Sequence, residues 1–413
     1  MGPLADVRIV DLSTGMAGPY CTMLLADMGA EVIKVEPPEG GDLTRQAGPF
    51  APDDQLQAFG GYFQSINRNK KGLAVDLKRE EGKEVLRRLV AVSDVLVENF
   101  RAGVMERLGL AYESLREINP RLVYAAVRGF GDPRTGRSPY VHRPAFDVVA
   151  QAMGGLMGTT GPGPEMPLKA SGGIGDTVPG LMAAVGILAA LHHARLTGQG
   201  QFLDVAMYDG VLSICERLVY MYSYAGVVSR PQGNRHNIFC PFEVFPTSDG
   251  WVAICAPADH QWRELCLAMG RPELAEDPRF ATNADRVQRC EEVRRLVSEW
   301  TSARTKAEVV AAVADRVPCG PVQDAEEIMR DPHVHARQMV VELEHPGCRQ
   351  PKAIAGTPIK LTVTPASVRT RAPLLGEHTD EVLSLLGYDR SEIERLHALG
   401  VVASQRWLPE GRS

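Results

Sequence analysis

The feature that most constrains this chain is an alternation of short apolar runs with helical segments along its first hundred residues. Residues 7–12 form an apolar run, residues 20–28 have helical character and end at Gly29, and residues 31–36 form a second apolar run. Glycine is common just after a helix, because it adopts the left-handed backbone conformation without a steric penalty. This order predicts a strand–helix–strand unit, whose two strands are parallel and joined by a right-handed crossover.

The same alternation continues along the next part of the chain. Strands are predicted over 72–77, 94–98 and 122–127, with an amphipathic helix over 79–92. Strands that alternate with helices indicate an α/β fold with a doubly wound, mostly parallel sheet. Residues 176–197 carry the strongest helical pattern, and because it is apolar on all sides we expect this helix to be buried.

The pattern changes near residue 228. Residues 229–236 are rich in residues that break regular structure, and two apolar runs at 242–246 and 251–255 flank a short turn. Two strands joined in this way form an antiparallel hairpin. We therefore expect a second, smaller α+β domain over residues 228–330.

Charge and cysteine content exclude several classes of protein. The 45 Lys and Arg residues against 51 Asp and Glu leave a net charge of −6, so no wide basic field is available for nucleic acid. The longest apolar stretch, residues 180–191, is shorter than the about 20 residues that span a bilayer, and the start lacks a signal-peptide pattern. The eight cysteines include no CxxC pair, which predicts reduced thiols, no metal cluster and a cytoplasmic location. We expect neither nucleic acid nor a membrane as a partner.

The common motifs GxGxxG after the first strand, GxxxxGK[ST], HExxH and GxSxG do not occur in the sequence. Ligands of open α/β sheets bind outside the carboxyl ends of the strands, near helix N-termini. Residues 15–18, residues 99–101 and the pair Gly175-Asp176 fall at such positions. Residues 15–18 can offer backbone N–H groups to an anion, and residues 99–101 combine an amide, an aromatic face and a cation. Glycine-rich turns and solvated arginines are common, however, so the residues alone favour a structural role for both segments.

Asp176 is the most informative carboxylate in the sequence. A flexible run, residues 171–175, precedes it, and Pro179 fits the first turn of the following helix. One interpretation is an ordinary N-cap, which stabilises a helix by about 1 kcal/mol. The other is an ionised nucleophile held at the positive end of the helix and shielded from water. The residue types alone favour the N-cap.

Ordered motifs along almost the whole chain resemble the class III CoA-transferase family. They are Ala17-Gly18-Pro19, residues 25–36, 41–45, 67–71 and 97–100, Gly175-Asp176 with its Ala-rich helix, residues 318–322 and residues 373–378.

The resemblance implies a Rossmann-like α/β large domain to which the C-terminal segment returns. The implied large domain comprises residues 1–205 and 345–413, followed in order by a linker helix at 206–227 and a returning linker at 331–344. It also implies an interlocked, ring-like homodimer. The implied reaction is acyl-CoA:carboxylate CoA transfer between small carboxylic acids, with CoA and its thioesters as substrates and no permanently bound cofactor or metal.

Asp176 falls where the family's transferases carry a nucleophilic aspartate, which forms aspartyl anhydride and aspartyl-CoA thioester intermediates. The resemblance assigns CoA contacts to Met16, Ala17, Lys78, Asn99, Phe100, Arg107, Phe146 and Met207. Two departures put single contacts in doubt. Pro37 stands where some relatives have an arginine, and Arg143 substitutes for a lysine of the segment around Phe146.

Three functions stay open at this point. The α-methylacyl-CoA racemases of the same family carry a histidine in place of Phe146, and a racemase needs two acid/base groups. Phe146 cannot accept a proton and the spacing of His142 is wrong, which favours a transferase over a racemase. A CoA-binding protein without turnover is the third hypothesis. For a transferase, the donor could be succinyl-CoA and the acceptor a dicarboxylate, whose second carboxylate Arg235 and His236 could bind. Alternatively, these two residues could belong to a surface loop between domains.

Overall fold

A computed structural model describes residues 2–405 of the chain. The described residues fall into two compact units. The first comprises residues 2–157, 169–228 and 333–405, and the second comprises residues 158–168 and 229–332. Two segments differ from the predicted division. Residues 158–168 belong to the second unit, although they precede the predicted small domain, and residues 206–228 belong to the first unit instead of forming a separate linker.

In the described part of the chain the strands are β1 Arg8–Asp11, β2 Glu31–Glu36, β3 Lys70–Val75, β4 Val95–Glu98, β5 Val123–Arg128, β6 Phe202–Ala206, β7 Phe242–Thr247, β8 Gly250–Cys255, β9 Cys319–Pro321, β10 Val340–Leu343, β11 Lys352–Ala355 and β12 Val402–Ala403.

The helices of the same residues are α1 Ala17–Asp27, α2 Gly61–Asn67, α3 Glu80–Ala91, α4 Val104–Leu108, α5 Tyr112–Ile118, α6 Asp147–Met153, α7 Ile174–Thr197, α8 Met207–Ile214, α9 Glu216–Ala225, α10 Asp259–Ala268, α11 Glu273–Glu276, α12 Asn283–Gln288, α13 Cys290–Ser302, α14 Lys306–Val313, α15 Ala325–Arg330, α16 Pro332–Ala336, α17 Thr379–Leu385 and α18 Arg390–Ala398.

The first unit is built on a seven-stranded sheet with the order β12-β3-β2-β1-β4-β5-β6. Strands β1 to β6 form parallel pairs, and β12 pairs with the edge strand β3 in the antiparallel direction. The six parallel strands have the 3-2-1-4-5-6 order of doubly wound dinucleotide-binding sheets. The chain runs outward in opposite directions from β1 and β4, so a crevice opens between their carboxyl ends.

Helices cover both faces of this sheet, as the strand sequences require. Every residue of β4 and β5 is buried, which is typical of parallel strands packed on both sides. One core lies between the sheet, α1 and α7, and the other lies between the sheet, α3, α5 and the C-terminal helices α17 and α18. The α/β fold with a large parallel sheet, predicted from the alternating pattern, is confirmed.

The second unit contains the antiparallel sheet β7-β8-β9. β7 and β8 form the hairpin that the apolar runs predict, with Phe245 opposite Val252. The buried face of this hairpin shares a core with Trp262 of α10, Val297 of α13 and Phe280 of the turn between α11 and α12. This unit therefore has its own hydrophobic core.

Helix α7 is longer than the apolar run that predicts it. It spans 24 residues, and by length and composition alone it could cross a membrane. The sequence-based expectation that no segment is long enough to span a membrane was therefore wrong, because the helix extends beyond the apolar stretch of residues 180–191 at both ends. Its buried residues, among them Ala183, Ile187 and Leu191, belong to the core beside α1. The linker helix that the resemblance implies over residues 206–227 is instead two helices, α8 and α9, which meet at Cys215.

Candidate active site

The loop between β1 and α1 lies at the crevice of the sheet and is fixed by side chains from neighbouring strands. Asn99, just after β4, accepts a hydrogen bond from the Thr14 N–H at 2.9 Å and donates one to the Thr14 carbonyl at 2.6 Å. Asp42 accepts the Gly15 N–H at 3.3 Å. The amide of Asn99 therefore shapes this loop, and both of its ends are occupied in doing so.

Buried charges support the same loop from below. The Lys34 ammonium donates to the Ser13 carbonyl at 2.9 Å and to Asp42 at 2.8 Å, and Lys70 donates to Asp11 at 2.9 Å. Burial opposes ionisation of Asp11, but the charges of Lys70 and Lys34 outweigh it and lower the pKa of Asp11 to about 2. Burial lowers the pKa of Lys70 to about 8. These ion pairs hold the end of β1 rigidly under the loop.

Asp176 is the third residue of α7 and does not cap it. The N-cap is Gly173, in the left-handed conformation with φ of 62°, and it has no side chain to satisfy the first N–H groups. Asp147 takes that role, because its carboxylate accepts the Gly175 N–H at 2.8 Å. A Cβ on Gly175 would overlap the carbonyl oxygen of Asp147, so only glycine fits there. The N-cap interpretation of Asp176 is wrong.

Asp147 is held from three directions. Besides the Gly175 N–H, it accepts a hydrogen bond from Gln151 Nε2 at 2.8 Å and lies 3.5 Å from the Lys169 ammonium. Gln151 also exchanges two hydrogen bonds with the backbone of Ala170, at 2.9 and 3.1 Å. The segment before α7 is thereby fastened to α6.

The Asp176 carboxylate is half-buried, and within residues 2–405 no hydrogen bond satisfies it. Burial raises the pKa of Asp176 to about 6, and the negative charge of Asp147 adds to the rise. A carboxylate with few solvating partners and a raised pKa is a stronger nucleophile and base than one in water. It is still mostly ionised at pH 7.

Two predicted CoA contacts adjoin the start of α7. A Cβ on Gly173 would lie 2.7 Å from the Met16 sulfur, so Met16 packs on the turn before Asp176. A Cβ on Gly180 would crowd the carbonyl oxygen of Ala17. The structure therefore brings Met16 and Ala17 together with the start of the helix that carries Asp176.

The other predicted contacts are distributed along the carboxyl edge of the sheet. Lys78 follows β3 and is exposed, Phe100 follows β4 and is half-buried, and Arg107 is exposed on α4. Met207 follows β6 directly and is buried against α6. Phe146 is 71% exposed immediately before α6. This edge therefore carries two exposed cations, Lys78 and Arg107.

Arg235 and His236 lie in the second unit. Arg235 forms an ion pair with Glu291, and His236 stacks on Phe239 with ring centroids 4.8 Å apart. Both line a cavity of about 460 Å³ in that unit. A carboxylate that entered this cavity would meet Arg235 beside the Glu291 carboxylate, whose negative charge opposes its binding. Arg143 and His142 belong to the first unit. The Arg143 guanidinium lies over the Tyr140 ring. His142 is exposed and lines a separate cavity beside Asp132.

Sequence reasoning missed Tyr62, Asp147 and Gln151. Burial raises the pKa of Tyr62 to about 12, with further contributions from the charges of Asp176, Asp42 and Asp147. Tyr62 is therefore electrostatically coupled to the site, but nothing in its flanking residues signals this. Asp147 is the first residue of a helix, so in the sequence it indicates only where that helix begins and not a role near Asp176.

A separate cluster is formed by Asp54, His345 and Cys348. Their potential ligand atoms lie within 4.8 Å of one another. His345 Nε2 is 3.2 Å from Asp54 Oδ2, and Asp54 Oδ1 accepts the N–H groups of Leu56 and Gln57. Hydrogen bonding accounts for this cluster, and we assign no metal to it.

Comparisons with known proteins find relatives along nearly the whole chain. A family model described as CoA-transferase family III matches residues 4–379. Succinyl-CoA:mesaconate CoA-transferase from Haloarcula marismortui is 48% identical over 389 residues, which cover 94% of this chain and 98% of that protein. Succinate–glutarate CoA-transferase from Agrobacterium fabrum is 39% identical over 395 residues, with 93% and 96% covered. A CAIB/BAIF family protein from Brucella suis has a crystal structure similar to this one, with a TM-score of 0.83, 35% identity and coverage of 93% and 99%.

The family model includes residues of both units, and the relatives match over nearly their full length. The chain therefore belongs to CoA-transferase family III and is a CoA-transferase of that class.

Proposed function

We propose that this enzyme transfers CoA from succinyl-CoA to a small dicarboxylate, with Asp176 as the covalent nucleophile. The observation that carries the proposal is the state of Asp176, a half-buried carboxylate without a hydrogen-bond partner among the described residues, with its pKa raised to about 6. The donor and acceptor follow the names of the two similar transferases, both of which act on C4 or C5 dicarboxylic acids.

The first half of the proposed reaction frees the donor acid. A carboxylate oxygen of Asp176 attacks the thioester carbonyl of succinyl-CoA, the C–S bond breaks, and CoA leaves as a thiolate. The product is a mixed anhydride of Asp176 and succinate. The thiolate then attacks the aspartyl carbonyl and expels succinate, which leaves an aspartyl-CoA thioester. Each step exchanges one acyl bond for another, so the difficult transfer is divided into easier ones.

The second half repeats these steps in reverse order with the acceptor. The acceptor carboxylate attacks the aspartyl carbonyl and expels the CoA thiolate, and the thiolate attacks the acceptor carbonyl of the new anhydride. Asp176 is released as a free carboxylate. Both anhydrides react readily with water. The burial of Asp176 therefore has two effects in this proposal: it makes the carboxylate more reactive, and it protects the anhydrides from hydrolysis.

We propose that CoA lies along the carboxyl edge of the large sheet. The fixed β1–α1 loop with Met16 and Ala17 would meet the reacting end, and the exposed cations Lys78 and Arg107 would meet the phosphates. Phe100 offers an aromatic face nearby. CoA and acyl-CoA are substrates in this proposal, and no resident cofactor takes part.

We further propose a cytoplasmic homodimer of interlocked, ring-like subunits. Helix α9 supports a dimer, because none of its residues is buried within the chain although it carries exposed tyrosines such as Tyr222 and Tyr224. On α7, Leu181 and Val185 are also exposed. Apolar faces of this extent on a single chain are typical of interaction surfaces. We propose the cytoplasm because the eight cysteines of the sequence include no CxxC pair, a pattern that predicts reduced thiols.

Hydroxylamine trapping tests the covalent route. Incubation with succinyl-CoA and hydroxylamine should convert Asp176 to a hydroxamate, while Asp176→Asn should give none. A panel of free acids (mesaconate, glutarate, oxalate and acetate) should show CoA transfer fastest to a dicarboxylate of four or five carbons. Absence of a hydroxamate, combined with solvent deuterium entering the α-carbon of an acyl-CoA, would establish a racemase instead. CoA binding with neither reaction would establish a protein without turnover.

A further inference from the structure

Two thiols of the second unit are in direct contact, away from Asp176 in the sequence. Cys240 lies just before β7 and Cys290 is the first residue of α13, and their sulfur atoms are 3.1 Å apart. A disulfide bond is about 2.0 Å long, so the sulfurs need to approach by only about 1 Å.

Cys290 is the accessible member of the pair. It is half-buried and lines the cavity of about 460 Å³ that Arg235 and His236 also line. A hydrogen bond from the Cys240 thiol lowers the pKa of Cys290, and the positive charge of Arg235 acts in the same direction, while burial and the negative charges of Glu243 and Glu291 oppose them without reversing the shift. Its position at a helix N-terminus also favours the thiolate, which is the form that attacks a disulfide.

Cys240 is the buried member, and its backbone is fixed. The Cys240 N–H donates to Asn283 Oδ1 at 3.1 Å, and its carbonyl accepts from the buried Arg286 at 2.9 Å. Only 1% of Cys240 is exposed. A reagent therefore reaches Cys290 first, and Cys240 waits behind it in the position of a resolving thiol.

We propose that Cys240 and Cys290 form a reversible disulfide, a modification site that responds to small disulfides such as oxidised glutathione. The Cys290 thiolate attacks one glutathione sulfur, breaks the S–S bond and releases one glutathione thiolate. Cys240 gives its proton to that thiolate and attacks the Cys290 sulfur, which releases the second glutathione. Two electrons pass from the protein sulfurs to the glutathione disulfide, and the protein gains one S–S bond.

The bond joins the end of the loop over residues 229–239 covalently to α13. Arg235 belongs to this loop and already contacts Glu291, the residue after Cys290. Oxidation therefore ties the loop to the helix at its second point of contact. This inference is independent of the CoA-transfer mechanism, because its readout is the covalent state of two sulfurs.

The test uses the full-length enzyme equilibrated over a series of ratios of reduced to oxidised glutathione. Thiols are counted after alkylation under denaturing conditions, and disulfides are located by peptide mapping without reduction. We expect the thiol count to fall by two, with a single Cys240–Cys290 bond that dithiothreitol reverses. Cys240→Ser should stop at a glutathione adduct on Cys290, and Cys290→Ser should give no bond and no adduct on Cys240.

Cys348→Ser is the matched control, because Cys348 is also half-buried but lies in the first unit, and it should oxidise as the wild type does. The proposal is overturned if both thiols stay reduced at ratios that place glutathione on any other cysteine. A bond at another pair, such as Cys255 with Cys319, would also overturn it.

Discussion

Asp176 and Asp147 place two carboxylates at the start of one helix, and their environments separate their roles. Asp147 accepts the Gly175 N–H and a Gln151 hydrogen bond and lies near Lys169, so its charge is compensated. Asp176 has none of these partners among the described residues, and burial raises its pKa to about 6. Because their surroundings differ, one carboxyl group of the site can have a structural role while the other stays reactive.

Replacing the reactive group should stabilise the protein while abolishing transfer. The folded-state pKa of Asp176 lies above its usual 3.8, so the ionised form costs stability at neutral pH. At about 1.4 kcal/mol per pKa unit, and allowing for the partial exposure of Asp176, we expect Asp176→Asn to gain about 1–2 kcal/mol at pH 8. The gain should shrink as the pH falls through 6 and disappear below about 4, where Asp176 is protonated in both states.

Urea unfolding at pH 8, 6 and 4 measures this stability difference. Asp209→Asn, which changes an exposed carboxylate in the first turn of α8, is the control and should leave stability within about 0.5 kcal/mol of the wild type at each pH. A loss of stability in Asp176→Asn at pH 8 would contradict the raised pKa.

Asp147 should tune the pH dependence of activity without being the nucleophile. The kcat/KM profile should fall below a pH of about 6, as Asp176 becomes protonated. Asp147→Asn keeps an oxygen for the Gly175 N–H but removes the neighbouring negative charge. We expect its acidic limb to move to lower pH, while staying above 3.8 because burial is the larger cause. Asp209→Asn is again the control, and its acidic limb should stay at the pH of the wild type. If the acidic limb of the kcat/KM profile does not move in Asp147→Asn either, Asp147 does not affect the pKa of Asp176.

At the scale of elements, the site depends on the loop between β1 and α1. Asn99→Ala removes both hydrogen bonds to Thr14, and the loss of about 1–2 kcal/mol should raise the KM for acyl-CoA about tenfold. Asn119 offers a matched control, since its amide also bonds backbone carbonyls, those of Val90 and Ser93, at 3.0 and 2.7 Å. Asn119→Ala should lower stability similarly and leave KM unchanged. An equal KM change in both variants would show that the Asn99 effect is only loss of stability.

The pattern of elements was predictable where hydrophobic periodicity carried it. β2 and β5 follow their apolar runs, and the hairpin of β7 and β8 follows its turn. The start of α7 was not predictable, because the run of residues 171–175 gives no sign that Gly173 caps the helix. What decides it is the Asp147 carboxylate, 28 residues away in sequence, which satisfies the Gly175 N–H. Tyr62 was missed for the same reason, since its coupling to Asp176 exists only in three dimensions.

At the scale of the whole molecule, the exposed apolar helices predict association. Tyr224 on α9 is 91% exposed and Val185 on α7 is 61% exposed, and an interface would bury both. Light scattering after size exclusion should give twice the 45.0 kDa of the chain. Tyr224→Lys should weaken the dimer and shift the mass downward on dilution. A wild-type mass of one chain at all concentrations would contradict the proposed homodimer.

The most direct test of the covalent role of Asp176 is peptide mass spectrometry of enzyme quenched in acid during turnover with succinyl-CoA and an acceptor acid. We predict an added succinyl or CoA mass on the peptide that contains Asp176, absent in Asp176→Asn, which should also have lost CoA transfer. Rapid transfer by the wild type with no added mass on that peptide, or transfer retained by Asp176→Asn, would contradict it.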